Sequence, residues 1–191
     1  MIEFRGFPKI ARLSREIVIT EKIDGTNGSI YISEDLSPIT CESGRIVPFL
    51  VGSRTRWIFP ENDNHGFARW AYEHANDLLK LGKGQHFGEW WGQGINRNYG
   101  LTEKRFSLFN IAKWSDDTVR PECCRVVPVL YRGIFDTQII EGVLKQLSID
   151  GSYAEKNFMK PEGIVIYHTH GNLFFKKTIE GDEKPKSVKD E

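Results

Sequence analysis

The sequence predicts an α+β fold of antiparallel sheets with two flanking helices. Three observations lead there. Short runs of β-branched and aromatic residues recur along the chain, each ended by Gly, Asn, Asp or Ser. Only two segments space their apolar residues as a helix does. Neither GxxxxGK[ST] nor GxGxxG occurs, so neither a P-loop nor a dinucleotide-binding βαβ unit is indicated.

The elements are taken in chain order. Residues 16–32, EIVITEKIDGTNGSIYI, are two β-rich runs around a polar turn. A hairpin is expected over about 38–54. Residues 64–80 carry Phe67, Trp70, Ala71, Ala75, Leu78 and Leu79 at helical spacing, with Asn64 as cap and Gly82 as stop. The strand HFGEWWG spans 86–92, and a Gly- and Asn-rich loop runs to Gly100. RFSLFNI at 105–111 reads as a strand, and Val126–Tyr131 as a further apolar run. Residues 136–147 read as a helix capped by Asp136, burying Ile139, Ile140, Val143, Leu144 and Leu147. GIVIYHT and NLFFKKT are final strands joined at His170-Gly171-Asn172. The stretch after Glu180 is polar, so residues 181–191 are expected to form a polar C-terminal tail.

The chain has 191 residues, 39% hydrophobic and 27% charged, which suits one globular domain with a sizeable core. Lys plus Arg and Asp plus Glu both number 26. A basic surface for nucleic acid must therefore be local. Cys41, Cys123 and Cys124 show no metal-binding spacing and are read as reduced thiols. No apolar run reaches the ~20 residues that span a membrane. These features lead us to expect a cytoplasmic protein with no membrane contact and no obligate protein partner.

The sharpest local feature is Glu21-Lys22-Ile23-Asp24-Gly25-Thr26-Asn27. A lysine beside an Asp-Gly turn is by itself an ordinary solvated hairpin. The downstream residues change that reading: Ser53-Arg54-Thr55, Phe87-Gly88-Glu89, Phe106 to Asn110, Glu162-Gly163-Ile164-Val165-Ile166, and Phe175-Lys176-Lys177. This ordered set resembles the covalent nucleotidyltransferase superfamily of ATP-dependent ligases and capping enzymes. The superfamily runs KxDG, a basic motif, a strand with Glu, an aromatic strand, EGhVh (h is apolar) and a Lys-containing strand. Arg usually stands two positions after the KxDG glycine in DNA ligases and capping enzymes. Here that residue is Asn27, and KxDGTN is similar to the RNA ligase branch, in particular to enzymes that seal nicks in double-stranded RNA.

The resemblance implies a nucleotidyltransferase (adenylation) domain over residues 1–180, with no room left for an OB-fold domain. It implies ATP as AMP donor, Mg²⁺ or Mn²⁺, and an RNA acceptor with 5′-phosphate and 3′-hydroxyl ends. Lys22 would be the catalytic nucleophile. An amine attacks only when deprotonated, and a free lysine holds its proton to about pH 10.4. Nearby cations and partial burial lower that value. Lys176, Lys177 and Arg54 are the right types to offset triphosphate charge. Glu162 is implied as the metal carboxylate, Glu89 as a ribose ligand, Glu21 as a neighbour of the adenine edge, Ile23 as a nucleotide-binding residue, and Asn27 as a neighbour of the metal's waters. Phe109, at the family's aromatic position, is implied as the stacking face for adenine, and strand alternation sends Phe106 to the opposite side.

Two departures stand out. The aromatic strand continues Phe109-Asn110 where the family has Phe-Asp. The last motif is Lys176-Lys177 where the family has Lys-x-Lys, so alternation aims only one lysine at the phosphates, and Lys176 is preferred. Weaker features have plainer readings. His168 and His170 lie on one face of a strand end without a third metal ligand nearby. Trp90 and Trp91 read as core. Asn96, Arg97, Asn98, Lys104 and Arg105 read equally well as RNA contacts or as a solvated loop. The rival functions are a DNA ligase, a GTP-using capping-type enzyme, and a non-catalytic module that binds RNA ends.

Overall fold

A computed structural model describes residues 2–182. β1 (Glu16–Lys22) and β2 (Thr26–Ile32) flank the Asp24-Gly25 turn. The short strands β3 (Ile39–Thr40), β4 (Ile46–Val47), β5 (Leu50–Gly52) and β6 (Trp57–Ile58) come next. Helices α1 (Phe67–Glu73) and α2 (Ala75–Leu78) and a 3₁₀ turn (Leu79–Leu81) lead into β7 (Gly84–Gly92) and β8 (Lys104–Leu108). After these come α3 (Ile111–Trp114), β9 (Cys124–Val126), β10 (Val129–Ile134), α4 (Thr137–Asp150), β11 (Gly163–His168) and β12 (Leu173–Thr178). The expected polar tail lies outside the described residues, apart from Gly181 and Asp182.

Two main sheets result. One has the order β10-β1-β11-β12 and is antiparallel throughout. The other has the order β6-β5-β2-β7-β8-β9. Its β8–β9 pair is parallel, which corrects the expectation of antiparallel sheets alone. The connection through α3 is long enough to bring β9 back in the same direction, as a parallel pair requires.

The chain crosses between these sheets twice. At residues 23–25 it leaves β1 for β2, so the two strands around the lysine turn belong to different sheets and do not pair with each other. At Val127-Pro128 it returns from β9 to β10. Proline has no N–H to extend a ladder, so the apolar run 126–131 divides there. The Glu21 amide donates to the Pro128 carbonyl at 2.9 Å, tying the two crossings together.

The core has three parts. α1 and α2 pack under the six-stranded sheet, burying Phe67, Ala68, Ala71 and Leu78 against Ile30, Val51, Trp90 and Phe106. α4 lays Ile140, Val143, Leu144 and Leu147 on Ile17, Ile19, Ile164 and Ile166 of the smaller sheet. Asp136 caps it, accepting from the Gln138 amide at 2.7 Å, as its sequence predicts. Ile23, Trp91, Tyr99 and Val127 fill the space behind the lysine turn.

Four boundaries differ from the sequence reading. The 64–80 helix breaks at His74, whose ring bonds to the Trp70 carbonyl at 2.8 Å. Asp63, not Asn64, satisfies its first amides, accepting from Ala68 and Arg69, while Gly82 ends the segment as expected at φ 76°. Pro48 divides the 38–54 hairpin, leaving β5 to pair with β2. The 105–111 strand stops at Leu108, because Asn110 turns its side chain back to cap α3 through the Lys113 amide at 3.2 Å.

Candidate active site

A cleft of about 1070 Å³ opens between the two sheets, just above the usual range of small-molecule sites. Strand alternation decides which residues face it. On the smaller sheet, Val18, Thr20 and Lys22 of β1, Val165 and Tyr167 of β11, and Phe174 and Lys176 of β12 share the cleft face through register. Asn27, Phe87, Glu89 and Phe109 line it from the other sheet.

Lys22 is the last residue of β1, opposite Gly163. Its Nζ lies 2.6 Å from the Glu162 carboxylate, with side chains 19% and 3% exposed. Gly163 allows this: a Cβ there would come within 2.2 Å of the Lys177 carbonyl. The Glu-Gly pair therefore lets β12 close on β11 while Glu162 turns toward the lysine.

Glu89 is buried on β7, opposite Asn27. Its Oε1 accepts from the Gly25 amide at 3.0 Å and its Oε2 from Asn27 Nδ2 at 3.1 Å. Burial pushes its carboxyl up to about 7, against the opposing pull of Lys22 and the Gly25 amide. Gly25 is required: a Cβ would sit 2.4 Å from the Trp90 carbonyl.

Phe109 is 39% exposed in the cleft, whereas Phe106 is fully buried in the core. Ile23 is buried and reaches the cleft floor; Arg54 is exposed at its rim. Lys176 lines the cleft. Lys177 faces the other way, 3.2 Å from Glu141 of α4 and 3.7 Å from Asp182. Two adjacent strand residues cannot share a face, so the expectation that Lys177 binds the nucleotide is corrected.

Glu21 is among the residues that line the cleft, but its side chain turns to the opposite face. Glu21 shares the face of Ile17 and Ile19. Its carboxylate is almost fully buried and accepts from Ser152 Oγ at 2.6 Å and from the amides of Tyr153 at 2.8 Å and Ala154 at 2.9 Å. Burial raises its pKa, and these three bonds oppose the rise. It anchors the segment after α4. Asn27 reaches the cleft, but its amide is engaged with Glu89.

The structure also brings in residues the sequence reading did not assign to the lysine. Asn96 Nδ2 donates to Asp24 Oδ1 at 3.0 Å and to the Gly25 carbonyl at 2.7 Å. Arg97 Nε donates to Asp24 Oδ2 at 3.0 Å, and the Asp24 amide donates to the Tyr99 hydroxyl at 2.8 Å. Their one local signal was the Asn-rich composition: Asn96, Asn98 and Tyr99 all have positive φ. Trp90 and Trp91 are buried, as expected. His168 is held in a strand-end network, its Nε2 2.8 Å from the Leu13 carbonyl and its Nδ1 accepting from the Gly171 amide.

Comparison with known proteins agrees with this geometry. Residues 15–179 match the family model described as RNA ligase. The chain is similar in structure to a lysine-to-methionine variant of Naegleria gruberi RNA ligase with AMP and Mn (TM-score 0.60, 20% identity, 87% of this chain and 50% of that chain). It is similar also to an arginine-to-alanine variant of that ligase with ATP and Mn (TM-score 0.60, 21% identity, 88% and 51% of the two chains). It thus spans about half the length of these structures. No curated protein matches it significantly. At such identity the likeness bears on the fold, whereas the family match takes in both main sheets, α4 and the residues around the cleft. The chain belongs to the RNA ligase family.

Proposed function

We propose that residues 1–180 form the adenylation domain of an ATP-dependent RNA ligase that works through a covalent adenylate on Lys22. The observation that carries this is the Lys22 amine, 2.6 Å from a buried carboxylate in a cleft that also holds Glu89, Phe109 and Lys176. The reading is further supported by the family match and by the Naegleria ligase structures, which hold AMP or ATP with Mn.

In the first step the Lys22 nitrogen attacks the α-phosphorus of ATP. An N–P bond forms, the bond to the bridging oxygen breaks, and pyrophosphate leaves with the electron pair while the amine gives up its proton. An oxygen of an RNA 5′-phosphate then takes the adenylyl group, the N–P bond breaks, and Lys22 regains a proton. Last, a 3′-hydroxyl attacks the activated 5′-phosphate and AMP departs. Phosphoryl chemistry of this kind depends on positioning and charge stabilisation. Lys176 and Arg54 offset phosphate charge, Glu89 receives the ribose hydroxyls, and Phe109 stacks on the base. Glu162 would hold Mg²⁺ or Mn²⁺. Among the described residues no cluster of three metal-ligating side chains occurs. A buried carboxylate is the donor type a hard cation takes, with phosphate oxygens and water as its other ligands. When bound, it supplies charge neutralisation to the triphosphate.

Incubation with α-labelled ATP and a divalent cation tests the reading. Label should stay on the denatured chain and be lost in Lys22→Ala. Label from GTP but not ATP would indicate a capping-type enzyme. No label, with no nucleotide released by pyrophosphate, would leave a non-catalytic RNA-end-binding module.

A further inference from the structure

We infer that Arg97 is a positioning residue for the adenylation of Lys22; this rests on the proposed ligase function. Arg97 lies in the β7–β8 loop, 75 positions beyond the lysine in sequence, and is absent from the cleft lining. Its guanidinium holds two chain segments at once. Nε donates to Asp24 Oδ2 at 3.0 Å, and Nη1 donates to the Lys160 carbonyl at 3.1 Å. Asp24 is two residues after Lys22, and Lys160 is two residues before Glu162. One planar group therefore ties the turn that leaves the nucleophile to the strand approach that delivers its carboxylate.

The surrounding geometry gives the tie a purpose. The Lys22 backbone is fixed by its pairing with Gly163. The turn lies on one side of this pair and residues 160–162 on the other, and Arg97 spans both. The loop that carries it is held from within: the Gly94 amide bonds to Asn98 Oδ1 at 2.7 Å, and Ile95 is buried. Asn96, Asn98 and Tyr99 adopt left-handed backbone, which is costly for residues with side chains. That conformation aims Asn96 and Arg97 at Asp24 and brings the Tyr99 hydroxyl under its amide. A fork with two donors in one plane is a feature of arginine that lysine cannot reproduce. Displacements of about 1 Å at a reacting centre can cost on the order of a hundredfold in rate.

The test measures single-turnover labelling of the full chain by α-labelled ATP, with Arg97→Ala, Arg97→Lys and Arg105→Ala. Arg105 is a control from the same region: it pairs with Glu103 and Glu155 and does not touch the lysine turn. Arg97→Ala should lower the rate at saturating ATP by about 10- to 100-fold and leave the apparent KM for ATP within about threefold. Arg97→Lys should recover only a minor part, because an ammonium reaches one acceptor at a time. Arg105→Ala should stay near wild type. The proposal is overturned if Arg97→Ala labels within threefold of wild type, if the loss lies in KM, or if Arg105→Ala is slowed equally. Should Arg97→Ala fail to fold by circular dichroism, Arg97→Lys decides by the same criteria. Absence of label on the wild-type chain would instead sink the ligase reading itself.

Discussion

Glu89→Gln should change how stability depends on pH. The Glu89 carboxyl is buried, and burial raises it from 4.5 to about 7. Below about pH 4.5 it is neutral in both folded and unfolded chains, and its full contribution to stability is present. As pH rises the unfolded chain ionises first while the folded chain keeps the proton, so stability falls. The loss is complete once pH passes about 7. At about 1.36 kcal/mol per unit, this amounts to roughly 3 kcal/mol. Glutamine does not titrate, yet its oxygen can still accept from the Gly25 amide, and a turned-over Asn27 amide can face its nitrogen. Urea unfolding of both proteins from pH 4.5 to 8.5 isolates the effect, because every other titrating group is common to the two. Wild type should lose about 3 kcal/mol relative to the variant across that range. Parallel curves, differing by less than about 0.5 kcal/mol in slope over the range, would refute the assignment. In a Lys22→Ala background the window should move to higher pH, since Lys22 holds the carboxyl down.

Three further outcomes are expected. Lys176→Ala should slow adenylation by at least about tenfold, while Lys177→Ala stays within about twofold, as labelling rates will show. Phe109→Ala should raise the KM for ATP by about two- to twelvefold, the equivalent of a stacking contact of roughly 0.5–1.5 kcal/mol, whereas Phe106→Ala should cost about 3–5 kcal/mol of folding stability. Gly25→Ala should destabilise by roughly 1–3 kcal/mol through the Trp90 carbonyl, seen as a lower Tm.

Alternation along single strands was the most legible part of the site. It separates Phe109 from Phe106 and Lys176 from Lys177 without any tertiary knowledge. The same rule, applied to Ile17, Ile19 and Glu21, turns the Glu21 side chain to the α4 side of the sheet, which motif position alone does not show. The α4 helix was readable because its cap and stripe are local. The 64–80 segment misled because its apolar spacing continues through His74, where a side-chain bond to the Trp70 carbonyl competes with the helix. The Asn96–Tyr99 loop was not readable as part of the site. Its partners lie some 71–75 residues away, and nothing local distinguishes such a loop from one that meets solvent.

Among the described residues the two sheets share only two covalent connections, at residues 23–25 and at Val127-Pro128, and the Glu21–Pro128 bond fastens these side by side. Lys22 lies beside both connections, at the seam where the chain itself holds the sheets together. The two cleft faces diverge from that seam, with Phe109 on one side and Lys176 on the other. On the proposed ligase reading, an atom at the seam keeps its place relative to both faces while the nucleotide bound between them changes.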